Sequence, residues 1–279
     1  MEALIAQGLE ELGLTAQVPD QAPAQLAEYG RLLLEKNQVM NLTAIREEDG
    51  VARLHMLDCA ALLRYADFQG KTLIDVGTGA GFPGLALKIL VPSLKVTLLD
   101  SLGKRVDWLN EVAARLGLSG VEAIHARAEE QAQVKGFRDS FDFVTARAVA
   151  DLRLLSELCL PYAKVGGVFL SMKSVESGPE LEGAAHAIKF MGGRVRETVD
   201  YTIPGTGSSG HLCGGLLLTS VLGPWAGFLS MIVILTIQCL FFADGGLMAL
   251  GANVWNMAFY GCFVGYFLIS RSLMRCRCF

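Results

Sequence analysis

LIDVGTGAGFPG, residues 73 to 84, reads as a strand, a tight turn and the start of a helix. A short apolar run ends in Asp75, glycines alternate at Gly77, Gly79 and Gly81, and an apolar-periodic segment follows Pro83. Glycine tolerates φ > 0 and lets the backbone approach a ligand closely, and proline at the first helical position forfeits no hydrogen bond. The stretch predicts a loop that touches a ligand, with a carboxylate at the strand end beside exposed N–H groups.

Two ligands are compatible with these residues. S-adenosylmethionine (SAM) has the polar, partly cationic head and the ribose that such a loop suits. Gly79, Gly81 and Gly84 also satisfy GxGxxG, the dinucleotide fingerprint, a weak signal on its own. In that fingerprint the first glycine follows the strand directly. Here Asp75, Gly77 and Gly79 come first, as DxGxGxG, which favours SAM and leaves NAD second.

Upstream, Leu4, Ile5, Leu9, Leu12 and Leu14 recur at helical spacing, as do Leu26, Tyr29, Leu33 and Leu34, and a third amphipathic stretch runs from Val51 to Leu63. Residues 1–70 are therefore expected to be a helical lead-in, interrupted at KNQVMNLTAI, which holds Asn37, Asn41 and Thr43. His55 and Asp58, in HMLDCA, form an i, i+3 pair. They read either as a helix-stabilising hydrogen bond or as the rim of a ligand pocket.

Downstream, strands are expected at Leu73–Val76, Lys95–Leu99, Val121–Ile124, Phe141–Thr145, Gly167–Met172 and Arg194–Tyr201. They alternate with helices from Pro83, Lys104 and Asp151 and over Glu180–Met191. Such alternation predicts an α/β fold with a mainly parallel sheet, and ligands then bind beyond the carboxyl ends of the strands. The candidate site residues fall at those ends. Asp100 closes VTLLD, where an ionised carboxylate would accept from a ribose diol. Ala128 and Glu129, in RAEE, could frame an adenine edge. Arg147, after FDFVTA, could meet a ligand carboxylate or an RNA phosphate, and Lys173, after FLSM, plays a similar part.

Composition divides the chain near Gly205. Residues 1–205 hold 21 of the 24 Lys and Arg and 27 of the 28 Asp and Glu, a formal net charge of −6 that argues against indiscriminate nucleic-acid binding. DNA is not an expected partner, and no metal site is expected. Cys59 and Cys159 lie in apolar helical patterns without metal-ligand spacing and read as reduced core thiols. Met1 is followed by Glu2, Glu10 and Glu11 without the basic start of a secretory signal, so this part is expected in the cytoplasm.

NLTAI, HMLD, DVGTGAGFPG, LLDSLGKR, RAEE and TARAVA resemble, in order and spacing, the bacterial small-subunit (16S) ribosomal RNA guanine-N7 methyltransferases, once called glucose-inhibited division protein B. The resemblance covers residues 25 to 203. It implies a class I, Rossmann-like SAM-dependent methyltransferase fold, with Gly77, Phe82, Ala128, Glu129 and Arg147 at cofactor positions. Asp75, Gly79, Gly81 and Asp100 join them from the reading of the loop and strand ends. Guanine N7 offers an unprotonated lone pair, so attack on a methyl sulfonium needs no general base and orientation supplies most of the acceleration. Consistently, the sequence has no Asn-Pro-Pro-aromatic motif, and neither cysteine of residues 1–205 follows a proline. Arg147 and Lys173 are the candidates for orienting the guanine or its phosphates.

After Asp200 to Pro204 the family would supply a last antiparallel strand. This chain continues instead with GTGSSGHLCGGLLLTSVLGPWAGF, so the usual last strand is expected to be missing. Residues 207 to about 263 resemble part of the membrane substrate-binding subunits of cobalt and nickel energy-coupling-factor transporters, through SSGHLCGGLLL, LGPWAGFL and FFADGGLMALGANVWNM. The resemblance implies a metal-binding role for a histidine at the position of His211, but the amino-terminal metal loop has no counterpart here. Pro224–Ala243 and Leu247–Ser270 are uncharged and long enough to cross a bilayer, with Asp244 to Gly246 as the turn and Arg271, Arg275 and Arg277 on the cytoplasmic side. Residues 206–279 are thus expected to be an all-α transmembrane tail in the bacterial inner membrane, with lipid as partner. The alternatives to a methyltransferase are a cobalt or nickel transport component and a non-functional fusion of two gene fragments.

Overall fold

The computed structural model describes residues 1–147, 150–173, 178–199 and 201–206. The expectations for His211, the two uncharged runs, the turn at Asp244 and the terminal arginines lie outside those residues. Among the described residues no helix is long and apolar enough to cross a membrane. No cluster of potential metal ligands occurs among them either.

Five strands form one parallel sheet: β1 (Thr72–Val76), β2 (Lys95–Asp100), β3 (Val121–His125), β4 (Phe141–Arg147) and β5 (Ala163–Met172), in the order β3-β2-β1-β4-β5. Leu73 pairs with Val96 on one side of β1 and with Phe143 on the other. Central position explains composition. Leu73, Ile74, Asp75 and Val76 are all buried, as a strand covered on both faces requires, whereas β3 at one edge is half-exposed. The chain runs from β1 outward to β3, then crosses to β4. The carboxyl ends of β1 and β4 therefore diverge at a switch point.

Helices α1 (Glu2–Glu11), α2 (Ala22–Asn37), α3 (Glu48–Val51) and α4 (Asp58–Ala60) precede the sheet, with a π turn over Ala52–Leu57 between the last two. α5 (Gly84–Leu90), α6 (Gly103–Arg115), α7 (Ala128–Gln131), α8 (Leu152–Cys159) and α9 (Gly178–Phe190) follow the strands. α6 buries Val106, Leu109, Val112 and Ala113 on one face. α8 starts where Asp151 accepts hydrogen bonds from the N–H groups of Arg153 and Leu154.

Met1–Ser208 form one compact unit. Ile5, Leu9, Leu26, Leu33, Met56 and Leu57 from the leading helices share a core with Leu73, Leu85, Leu98 and Trp108 of the sheet layer. Tyr29 carries that core to the glycine loop. Its buried ring stacks on Phe82 at 5.0 Å and Trp108 at 6.2 Å, and its hydroxyl donates to the Ala80 carbonyl at 2.6 Å. Cys59 and Cys159 are free and buried, and burial pushes both thiols well above their ordinary pKa.

Two expected elements differ. Pro83 precedes α5 and does not open it, because the first helical N–H, that of Gly84, is taken by the Asp75 carboxylate at 3.0 Å. Of the strand expected at Arg194–Tyr201, residues 194–199 and 201 are described and have no regular structure. A strand persists only with a neighbour to pair its backbone, and β5 ends the sheet among the described residues. The segment that the family would insert beside it belongs to the stretch after Pro204 where this sequence departs.

Candidate active site

A cleft of about 430 Å³ opens at the carboxyl ends of β1, β2 and β4, lined by Gly77 to Ala80, Phe82, Asp100, Ser101, Arg105 and Arg147, with Leu42, Thr43 and His55 from the leading segment. A second hollow, of about 590 Å³, lies around Arg64 to Gln69 before β1, at the amino end of the sheet. Parallel sheets bind ligands at the opposite end, so the first cleft is the candidate.

The glycine loop owes its shape to positive φ, +67° at Gly77, +59° at Gly79 and +101° at Gly81. A Cβ on Gly79 would meet nothing closer than 3.9 Å, so space exists where a side chain would stand. At Gly81 it would lie 2.5 Å from the Tyr29 hydroxyl, so that glycine serves packing. The N–H groups are less available than the sequence suggests. Those of Gly77 and Thr78 donate to Leu99 O, Gly79 to Asp100, Gly81 and Phe82 to Thr78 O, and Gly84 to Asp75. Only the Ala80 N–H lacks an acceptor among the described residues. A diphosphate needs several free N–H donors at such a turn. This loop suits a ligand without one, which favours SAM over NAD.

Asp75 and Asp100 end adjacent strands but are used differently. Asp75 is fully buried beneath the loop and does not line the cleft. It accepts from Thr78 Oγ1 at 2.6 Å, Gly84 N at 3.0 Å and Thr145 Oγ1 at 3.0 Å. Burial raises its pKa, against the lowering effect of those three hydrogen bonds. The expected ligand contact is corrected to a scaffold role, since its oxygens already bind the loop. Asp100 lines the cleft. It accepts from Leu102 N at 2.9 Å, Gly79 N at 2.9 Å and, weakly, Arg105 Nη1 at 3.4 Å. A carboxylate has about four acceptor positions, so capacity for a ribose hydroxyl remains.

Arg147 gathers residues far apart in sequence. Its guanidinium donates to Asp58 Oδ2 at 3.2 Å, to Leu54 O at 3.1 Å and to His55 Nδ1 at 2.9 Å, and lies 5.0 Å from the centre of the Phe82 ring. His55 stacks on that ring at 4.7 Å. His55 and Asp58 thus meet through Arg147, and His55 stands in the cleft wall on a π turn, a distortion frequent at functional sites. Burial, and then the Arg147 charge, lower the His55 pKa to about 4, so the ring is neutral near pH 7. Tyr201 Oη donates to Asp58 Oδ1 at 2.7 Å, and Arg53 Nη1 donates to Pro204 O at 2.9 Å.

The remaining expected residues lie outside the cleft. Ala128 and Glu129 begin α7 after the edge strand β3, where Ala128 O accepts from Tyr162 and Glu129 pairs with Arg127 at 2.8 Å. Lys173 is corrected more strongly. Its ammonium is held by Glu180 at 2.6 Å and by Ala150 O, which fastens β5 to α9 and is no part of the cleft. Sequence reading missed Thr43, Thr78, Ser101 and Arg105 as cleft residues. Polar side chains within two residues of the strand-end residues Val76 and Asp100 were the available signal for Thr78 and Ser101.

The sequence profile of the family described as rRNA small subunit methyltransferase G (GidB) matches residues 22–204. A protein of Exiguobacterium sibiricum named ribosomal RNA small subunit methyltransferase G is 47% identical over 211 residues, 75% of this chain and 86% of the relative. This chain belongs to the GidB family. A second GidB relative of the same name, from Lachnoclostridium phytofermentans, is 48% identical over 201 residues, 72% of this chain and 82% of its own.

Solved structures similar to this GidB chain include a SAM-dependent methyltransferase from Aquifex aeolicus (TM-score 0.41, 23% identity, 54% of this chain and 86% of that one). A ribosomal protein L11 methylase from Lactobacillus delbrueckii subsp. bulgaricus gives a TM-score of 0.42 at 20% identity, over 52% and 72% of the two chains. A second profile, for the cobalt uptake substrate-specific transmembrane region (CbiM), matches residues 159–277, so 159–204 fall within both matches.

Proposed function

We propose that the chain transfers a methyl group from SAM to N7 of a guanine in small-subunit (16S) ribosomal RNA. The observation that carries this reading is the cleft at the β1/β4 switch, lined by Asp100 and by a loop whose N–H groups, Ala80 apart, are already bonded, in a chain of the GidB family. The residues present fit SAM, which supplies an electrophilic methyl carbon when bound. Asp100 accepts from the ribose hydroxyls. Gly77 lines the cleft, Gly79 leaves room for the ligand, and Phe82 and Arg147 form the wall towards the acceptor. Ala128 and Glu129, at the start of α7 after β3, are assigned to hold the adenine end.

Guanine N7 carries a lone pair and no hydrogen, so the chain would need no general base to prepare the acceptor for that methyl carbon. No proton moves. The chain's part is to hold the two reactants aligned, and a half-buried wall of neutral His55, Phe82 and the Arg147 guanidinium, its charge paired with Asp58, is placed to do so.

We assign residues 1–205 to a cytoplasmic methyltransferase with a helical lead-in over 1–70 and the SAM domain over 71–205. Residues 206–279 are assigned to a membrane-inserting tail, supported by the CbiM match and the two uncharged runs. That match also supports a second reading, a cobalt or nickel transport component.

The full chain in detergent, supplied with methyl-labelled SAM and small-subunit RNA, is expected to label one guanine, located by strand scission at 7-methylguanine. Label at adenine or cytosine, or none, overturns the first reading. Tight cobalt or nickel binding that His211→Ala abolishes would establish the second.

A further inference from the structure

Thr43 lies in the wall of the cleft, at the break between α2 and α3. Its Oγ1 accepts from Ile45 N at 3.1 Å and lies 2.8 Å from His55 Nε2. The other ring nitrogen settles which partner donates in that second contact. His55 Nδ1 has two neighbours, Arg147 Nη2 at 2.9 Å and Leu54 O at 3.1 Å. A guanidinium has only hydrogens to offer, so Nδ1 accepts from it. Leu54 O is served by Arg147 Nη1. The one proton of the neutral ring then sits on Nε2 and is donated to Thr43.

Thr43 Oγ1 therefore receives two hydrogens, which occupy both its lone pairs. Its own hydrogen has no acceptor among the described residues. Most hydroxyls rotate to accept or donate as a ligand requires. This one is locked as a donor, and the lock is set by Arg147 through His55.

We propose that Thr43 is a specificity-determining residue whose hydroxyl donates to O6 of the acceptor base, so that guanine is accepted and adenine refused. This rests on the guanine-N7 reading above. On the edge that carries N7, guanine presents O6, a second acceptor, while adenine presents an amino donor at the same place. A hydroxyl that only donates binds the first and opposes the second. The bond to O6 leaves the neighbouring N7 lone pair free for the methyl carbon. His55 and Arg147 are positioning residues for this contact.

The test compares the full-length wild type with Thr43→Val, which keeps the shape without the hydroxyl, and Thr43→Ser, which restores it. Each is titrated with SAM and assayed on small-subunit RNA carrying guanine or adenine at the position the wild type modifies. Thr43→Val is expected to bind SAM within about 2-fold of wild type while kcat/KM on guanine falls about 10-fold, the effect of one lost hydrogen bond. The guanine-over-adenine ratio should shrink by a similar factor, and Thr43→Ser should recover both to within about 3-fold. Unchanged activity of Thr43→Val refutes the proposal, as does an unchanged base ratio. So does a loss in SAM affinity equal to the loss in activity, which would mean that the hydroxyl meets the cofactor. A wild type that methylates a base other than guanine removes the guanine-N7 reading itself, and the wild-type arm alone reveals it.

Discussion

The same substitution at two carboxylates on adjacent strand ends should have opposite consequences. Asp75→Asn keeps one oxygen for Thr78 Oγ1 and Gly84 N and places its amide against Thr145 Oγ1, a hydroxyl able to turn and accept. It also removes a charge that burial disfavours. The expected urea midpoint is unchanged or raised, and SAM affinity stays within about 3-fold, since no ligand contact is lost. Asp100→Asn has no such arrangement. Leu102 N–H approaches one of its oxygens and Gly79 N–H and Arg105 the other, so an amide at either position sets donor against donor. Loss of one hydrogen bond to a charged group costs about 1.5 to 3 kcal/mol, and at 1.4 kcal/mol per decade SAM binding weakens about 10- to 100-fold. Calorimetric titration of SAM into both full-length variants in detergent measures the contrast. Equal weakening by the two would refute the division between scaffold and ligand carboxylate.

Gly81→Ala should lower stability by about 2 to 4 kcal/mol, because its Cβ would crowd Tyr29 and Leu85 at a φ that L residues avoid; pulse proteolysis across a urea series reads the shift. His55 binds its proton in the unfolded chain near pH 6.5 but in the folded one only near pH 4, so its contribution to stability is complete above pH 6.5 and is lost as pH falls through that window. Between pH 7.5 and 5 the loss should be about 2 kcal/mol, absent in His55→Gln by the same urea assay. Lys173→Met should leave SAM affinity and methyl transfer within about 3-fold of wild type while loosening α9, seen as faster amide exchange over Glu180 to Phe190; a large fall in the methyl-transfer rate would return Lys173 to the site.

The parts of the fold legible from sequence were those whose cause is local. Apolar runs ending in Asp75 and Asp100 mark strand ends because central strands are buried on both faces, and the alternating glycines mark a turn of positive φ. The uses of the carboxylates were not legible. Whether Asp75 meets a ligand or Gly84 N depends on how α5 returns over β1, and composition does not encode that. Arg147 was identified by its strand end, yet its partners Leu54, His55 and Asp58 lie about ninety residues away, and only the packing of the leading helices brings them together. For Lys173 the partner is near in sequence, Glu180 seven residues on, but only the fold of α9 back towards β5 makes the pair. The strand expected at Arg194–Tyr201 has suitable alternation but no pairing strand among the described residues.

The last described residues are tied to the first domain wall met by the cofactor cleft: Tyr201 to Asp58, and Pro204 to Arg53. The chain leaves the described residues just after that tether, at Thr206. Tension along the chain from residues 207–279 would therefore not begin by peeling an outer strand. It would load the Pro204–Arg53 contact first and then the bond from Tyr201 to the carboxylate that holds Arg147, so mechanical load at residue 206 and the posture of the guanidinium share one lever.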